Sequence, residues 1–233
     1  MSSHARGKFI TFEGLDGCGK STQIKLLAAA LRAQKLPVVV TREPGGTPTA
    51  EKIRHLLLDT GTGALAPMAE LALMFGSRAQ HIEEVIAPAL AEGSVVLCDR
   101  FTDSTEAYQG SGRKLGSKPV LELHRIICGD LQPDLTILMD SDVATSVERA
   151  RRRNRSQASH GKHGGRDENR FEQESRAFFG RVRHAYLEIA RRETKRVVLV
   201  NARGTPDETH ELIMEIVGKR FKGMQKSEVR MQK

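Results

Sequence analysis

A chain of 233 residues with 39% hydrophobic content supports one α/β domain with a substantial core and is short for two independent ones. Lys plus Arg number 37 against 29 Asp plus Glu, a formal charge of +8 that fits a nucleic-acid binder and equally an enzyme whose ligands are polyanions. The 4% aromatic content, with no Trp and two Tyr, argues against stacking platforms along a single strand, and three cysteines (Cys18, Cys98, Cys128) at unrelated spacings argue against a disulfide framework or a zinc site.

The opening "MSSHARGKFITFEG" lacks the long apolar core of a signal peptide, and no apolar run reaches the roughly 18 residues of a membrane span. A cytoplasmic protein without a membrane partner is the expectation. Short β-branched runs alternate with longer amphipathic stretches, the pattern of crossover units on a parallel sheet. Five strands are predicted: "KFITF" (8–12), "PVVVT" (37–41), "SVVLCD" (94–99), "LTILMD" (135–140) and "RVVLVN" (196–201). Each is nearly all apolar, as a strand covered on both faces should be. Helical periodicity marks 21–35, and a long helix begins after Pro67, is kinked or broken by Pro88 and ends at Gly93. Further helices are predicted from near 142 into 153, over about 170–192 and over about 206–221. The aperiodic "NRSQASHGKHGGRDEN" (154–169) predicts a mobile loop between two helices, and 222–233 reads as a basic tail after a single domain over 1–221.

Between the first strand and first helix stands "GLDGCGKST": Gly14, Leu15, Asp16, Gly17, Cys18, Gly19, Lys20, Ser21 and Thr22. Gly14, Gly19, Lys20 and Ser21 satisfy G-x-x-x-x-G-K-[ST] in the strand-to-helix context that a phosphate loop requires. Backbone N–H groups and the helix N-terminus attract phosphate, Lys20 reaches the terminal phosphates, and the Ser21 hydroxyl ligates Mg²⁺. ATP and Mg²⁺ are therefore expected ligands. Several reaction classes share this loop, and the Asn-Lys-x-Asp segment of a guanine reader is absent. Asp16 is the odd member, a carboxylate inside a cradle for anions. Cys18 reads as a small space-filling residue rather than a redox switch.

The segment "CDRFTDSTEAYQGSGR" (98–113) follows the third strand at the sheet edge where ligands bind in open α/β folds. Asp99 suits a partner for Mg²⁺ and Arg100 a planar fork for phosphate, followed by the hydrogen-bonding groups of Ser104, Thr105, Tyr108 and Gln109. A strand-end salt bridge is the competing reading of Asp99 and Arg100.

With these residues in view, "FEGLDGCGKSTQ", "TREPGGT", "LMFGSRAQH", "CDRFTDSTEAYQG" and "RFEQES" together resemble bacterial thymidylate kinase, from about residue 8 to 221. The resemblance implies an α/β P-loop nucleoside monophosphate kinase fold, a five-stranded parallel sheet flanked by helices, and transfer of the γ-phosphate of ATP to dTMP. It implies that Asp16 meets the acceptor 3′-hydroxyl, that Arg100 holds the acceptor phosphate with Arg54 nearby, and that Arg78 reaches the thymine or that phosphate. Thr105 and Gln109 would lie along the base, and Tyr108 would close the 2′ side of the sugar. The family's stacking aromatic stands four residues before the arginine, where this chain has Met74; the role is assigned to Phe75, with both residues being core as the alternative.

Some thymidylate kinases carry an arginine in the loop where this chain has Gly17, so catalytic charge is sought in a lid at about 150–170. There Arg149, Arg151, Arg152, Arg153, Arg155, Arg166 and Arg170 bracket the mobile stretch, as lids of the bacterial kind do. Arg153 is the first choice for catalysis and Arg170 the second, joining Lys20, Asp16 and Arg100. His160 and His163 read as solvated rather than metal-binding. The resemblance also implies a homodimer, for which the apolar stretch 71–90 could serve as well as for core. Rival readings are a kinase for another nucleoside or nucleoside monophosphate, and an ATP-dependent nucleic-acid-binding protein.

Overall fold

The computed structural model describes residues 6–159 and 170–221, with the backbone alone described for 153–159 and 172. Five strands form within a residue of where the β-branched runs place them: β1 Lys8–Glu13, β2 Val38–Arg42, β3 Val95–Asp99, β4 Leu135–Asp140 and β5 Val197–Asn201. They pair in parallel in the order β2-β3-β1-β4-β5, so the chain passes first to one side of β1 and then to the other. That reversal opens a crevice at the carboxyl ends of the strands. Phe12 of β1 lies opposite Asp99 of β3 on one side and Ile137 of β4 on the other.

Coverage on both faces holds for the three inner strands and fails at the edges. Val40 of β2 is 43% exposed and Leu199 of β5 is 50% exposed, because edge strands lie beyond the helices packed over the centre. Helix α1 (Lys20–Ala33) covers one face, where Ile24, Leu27 and Leu31 join Ile10, Phe12, Leu97 and Ile137 in a buried cluster.

The opposite face is covered by helices that the sequence shows less openly. Helix α2 (Pro48–Leu58) starts on Thr47, whose side chain accepts the Ala50 N–H. The long helix begins at Pro67 but is not broken at Pro88. Helix α3 (Pro67–His81) passes through a π turn at Ile82–Ile86 into α4 (Ala87–Ala91). The wider turn, in which the Ala87 N–H bonds the Ile82 carbonyl, rearranges the backbone just ahead of the proline ring, so the helical path survives a residue that usually ends one. After β3, α5 (Thr102–Thr105) runs into a second π turn, Glu106–Gly112, and then α6 (Ser117–Ile127).

Helix α7 (Val143–Ser159) continues past the expected end at 153. The helix expected over 170–192 is split: Arg170–Gln173 is a 3₁₀ turn, and α8 (Arg176–Arg192) starts on Ser175, which caps the Phe178 N–H. Helix α9 (Pro206–Arg220) opens with a reciprocal cap between Thr205 and Glu208 and lays Ile213 and Val217 on the α1 side of the sheet. Among the described residues no helix is long and apolar enough to cross a membrane. The tail 222–233 lies outside them.

Candidate active site

The phosphate loop spans the gap from Glu13 at the end of β1 to Lys20 at the start of α1. At Gly17, with φ of +83°, a Cβ would stand 2.3 Å from the Ser146 carbonyl oxygen and 3.2 Å from the Arg149 Cβ. Helix α7 therefore rests directly on the loop, and only glycine fits there. No side chain caps α1, whose cap position is Gly19, which leaves its first turn open to an anion. Lys20, 5% exposed, folds back over the loop and donates to the carbonyls of Leu15 at 2.9 Å and Gly14 at 3.1 Å. Burial pushes the Cys18 thiol pKa up and keeps it protonated, in keeping with a space-filling residue.

Ser21 Oγ donates to Asp99 Oδ2 at 3.1 Å, while Asp99 Oδ1 is buried without a hydrogen-bond partner among the described residues. A hydroxyl and an unsatisfied carboxylate oxygen are the donor set of a hard divalent cation, so these residues fit Mg²⁺. Beside them opens a cleft of about 370 Å³, lined by Lys25, Thr41, Arg42 and Glu51 as well as the pair itself.

Arg100 leaves β3 in the left-handed region, φ +75°, with its backbone N–H bonded to the Phe12 carbonyl at 3.0 Å. That turn aims the side chain back over the sheet end. Nη2 donates to Asp16 Oδ1 at 2.9 Å and to the Tyr108 hydroxyl at 3.2 Å, and Nη1 to Ser104 Oγ at 2.9 Å and the Tyr186 hydroxyl at 3.0 Å. The Tyr108 hydroxyl also donates to Asp16 Oδ2 at 3.3 Å. Burial opposes the Arg100 charge, but Asp16 and the two phenols outweigh it and hold the guanidinium charged. The strand-end salt bridge between Asp99 and Arg100 does not form; Arg100 pairs with Asp16.

Two residues of this cluster were not singled out from sequence. Glu13 is fully buried beneath Arg100, accepting from the Phe101 N–H at 2.7 Å, the Tyr186 hydroxyl at 3.1 Å and the Ser104 hydroxyl. Its position ending an apolar strand was the available signal. Tyr186 arrives from α8, 86 residues from Arg100, and nothing local announces it.

The base-reading candidates gather between α3 and the 102–112 segment. Arg78, 2% exposed, donates from Nε to Glu43 Oε2 at 2.7 Å and from Nη2 to Thr105 Oγ1 at 2.8 Å, and Nη1 is buried without a partner among the described residues. Gln109 donates to Glu70 at 2.8 Å. Arg54 donates to the Pro44 carbonyl at 3.0 Å. Phe75 is displaced from the stacking role. It is 0% exposed, enclosed with Leu71, Val96 and Phe101, and the Arg78 guanidinium lies 4.7 Å over its ring, leaving no face for a base. Met74 is half-buried against the cluster that holds Leu15, Tyr108 and Phe171.

The lid arginines divide. Arg149 and Arg152 are exposed on α7, and Arg149 begins beside Gly17. Arg153 and Arg155 lie on α7 with side chains outside the described part, and His160, His163 and Arg166 lie outside the described residues altogether. Arg170 does not offer a free charge: Nη2 donates to Glu70 Oε2 at 2.7 Å and Nε to the Leu57 carbonyl at 2.6 Å. Its guanidinium fastens the 170–173 turn to α2 and α3 instead.

A cradle for one phosphate chain and an arginine fork suited to a second phosphate meet at Asp16, which places the molecule among the P-loop kinases, proteins that pass a phosphoryl group between two bound ligands. More narrowly, the chain belongs to the thymidylate kinase family, whose sequence model matches residues 12–213. It is 50% identical over 209 residues to a thymidylate kinase of Trichlorobacter lovleyi, covering 90% of this chain and 96% of that one. Identity to a thymidylate kinase of Pseudomonas syringae pv. syringae is 52% over 199 residues, 85% of this chain and 89% of the relative. The crystal structure of thymidylate kinase from Ehrlichia chaffeensis superposes with a TM-score of 0.72 at 29% identity, covering 91% of this chain and 99% of that chain.

Proposed function

We propose that the protein transfers the γ-phosphate of MgATP to dTMP, giving dTDP and ADP, in the cytoplasm, as a homodimer and without a part for nucleic acid. The observation that carries the chemistry is the contact of Arg100 with Asp16 at the mouth of the phosphate loop, since it joins a donor site and an acceptor site through one ion pair. When triphosphate enters, Lys20 exchanges the Gly14 and Leu15 carbonyls for phosphate oxygens, and the loop N–H groups take the rest of the anion. Mg²⁺, held by Ser21 and Asp99, would neutralise phosphate charge. Arg100, with Arg54 nearby, holds the acceptor phosphate; Asp16 receives the 3′-hydroxyl; Tyr108 closes the 2′ side of the sugar.

Arg78, Thr105 and Gln109 read the base across Met74, which takes the place assigned from sequence to Phe75. Transfer is direct and in line, so no nucleophilic side chain is needed. With Gly17 in the loop, the arginines of α7 supply the positive charge, led by Arg149 at the loop and Arg153 one turn further along. The exposed face of α3, with Ala69, Ala72, Gly76 and Ala79 beside half-exposed Met68, supports the dimer.

Replacing Asp16 or Arg100 by Ala tests the reading. Each removes charge-assisted hydrogen bonds to the acceptor, so KM for dTMP should rise about tenfold or more. KM for ATP should change by less than about threefold, since the loop itself is intact. Equal loss toward both substrates would contradict the assignment.

A further inference from the structure

Glu70 is a charged residue on the apolar side of α3, 0% exposed, and four hydrogen bonds converge on its carboxylate. Oε1 accepts from Gln109 Nε2 at 2.8 Å and Arg113 Nε at 3.1 Å; Oε2 accepts from Arg113 Nε at 3.2 Å and Arg170 Nη2 at 2.7 Å. Two arginines are more than neutrality requires, and Arg113 also pairs with Glu174. The neutral member, Gln109, is the informative one. An ionised carboxylate can only accept, so the amide atom facing it must be the NH₂ group, and the carbonyl oxygen must point the other way.

With the base pocket read between α3 and the 102–112 segment, the other way is toward that pocket. Glu70, Met74 and Arg78 stand at intervals of four on α3 and share a face. Thr105 and Gln109, four apart on the opposing segment, answer Arg78 and Glu70 respectively. Met74 therefore lies between two cross-links, with the Arg78 donor Nη1 at one end and the Gln109 amide at the other. A thymine or uracil offers an N3–H donor next to an O4 acceptor; a cytosine offers an N3 acceptor next to an N4 amino donor. A pocket with a carbonyl oxygen at Gln109 and an N–H at Arg78 matches the first pair and opposes the second at both atoms.

We propose that Glu70 is a specificity-determining positioning residue: by holding the Gln109 amide with its NH₂ group inward, it presents the carbonyl to the acceptor base and selects a pyrimidine carrying N3–H and O4. This rests on the reading of 74, 78, 105 and 109 as the base pocket. Glu70 touches no substrate and acts through Gln109 alone. Arg113 and Arg170 hold the carboxylate still with donors on both oxygens, and an acceptor so engaged is what makes the amide orientation one-valued.

The test compares kcat and KM for dTMP and dCMP in the full chain. Glu70→Gln presents both a donor and an acceptor, so the Gln109 amide can turn over; the ratio of kcat/KM for dTMP over dCMP should fall by about 10- to 100-fold, mainly through KM. Glu70→Asp keeps an acceptor-only group and should hold the ratio within about threefold of wild type. Gln109→Leu should weaken dTMP use whichever way Glu70 acts. A wild type that does not prefer dTMP, or a Gln109→Leu variant unchanged toward it, overturns the pocket assignment itself. A dTMP-selective wild type, a weakened Gln109→Leu and an unchanged ratio in Glu70→Gln overturn the role of Glu70 alone.

Should Glu70→Gln fail to fold, the side-chain amide protons of Gln109 in the wild type decide by NMR exchange. Protection in the free protein that persists when dTMP is added is the expected result. Protection that appears only with dTMP would mean that the NH₂ group donates to the nucleotide, which contradicts the proposal.

Discussion

Arg100 holds a full charge in a nearly closed pocket because acceptors meet it from three elements: Asp16 in the loop, Ser104 and Tyr108 after β3, and Tyr186 in α8. Below it, Glu13 accepts from two of the same residues, Ser104 and Tyr186. Burial first, then the negative charge of Asp103, push the Glu13 pKa up to about 7 against the pull of Arg100. The native protein thus retains a proton that the unfolded chain releases near 4.5, so this group's contribution to stability is full below about 4.5 and is lost as pH rises through 7. Glu13→Gln should remove that slope: between pH 5 and 8 the Tm of the wild type should fall relative to the variant's, and parallel curves would show that Glu13 does not titrate there.

At the scale of elements, the contact between α7 and the phosphate loop explains Gly17. The absence of an arginine there pointed to the region after β4, and α7 from that region is what occupies the space. Gly17→Ala should destabilise by about 1–3 kcal/mol through left-handed strain plus the clash with Ser146. Gly63→Ala is the control, because its φ is +75° yet nothing lies within 4 Å of the added carbon. Urea unfolding should show Gly17→Ala costing at least about 1 kcal/mol more than Gly63→Ala, within the range that separates packing from backbone strain; equal losses would mean that α7 does not bear on the loop.

The helices least visible in the sequence are hidden for definite reasons. The 102–112 segment buries Thr102, Asp103, Ser104, Thr105, Glu106 and Gln109, so its inward face is polar and carries no apolar periodicity. Its second half is a π turn, off the 3.6 period as well. Helix α6 did carry an apolar stripe, Val120, Leu123 and Ile127 at helical spacing, which packs on the α3 side of the sheet. Helix α2 did carry a readable start in Thr47 followed by Pro48.

Across the whole molecule, strands and the phosphate loop were legible because each rests on contiguous residues. The apolar runs fixed five strands, and G-x-x-x-x-G-K-[ST] set the loop between the first strand and helix. Arg100, Asp16, Tyr108 and Ser104 do come together. What sequence could not convey depends on contacts across the chain: Tyr186 reaching Glu13 from 173 residues away, Arg170 drawn to Glu70 from 100 away, and the closure of Phe75 beneath Arg78. The +8 charge is likewise ambiguous until placed: Arg196 with Asp103, Arg192 with Glu106 and Arg183 with Asp140 form neutral pairs, so the excess resides in other cations.

The most direct measurement is a coupled assay of phosphate transfer from MgATP to dTMP, dUMP, dCMP, AMP and thymidine, repeated with added DNA. The account predicts dTMP as the preferred acceptor, with kcat/KM of about 10⁴ M⁻¹s⁻¹ or more and no response to DNA. A clear preference for another acceptor, or ATP hydrolysis stimulated by DNA, would contradict it.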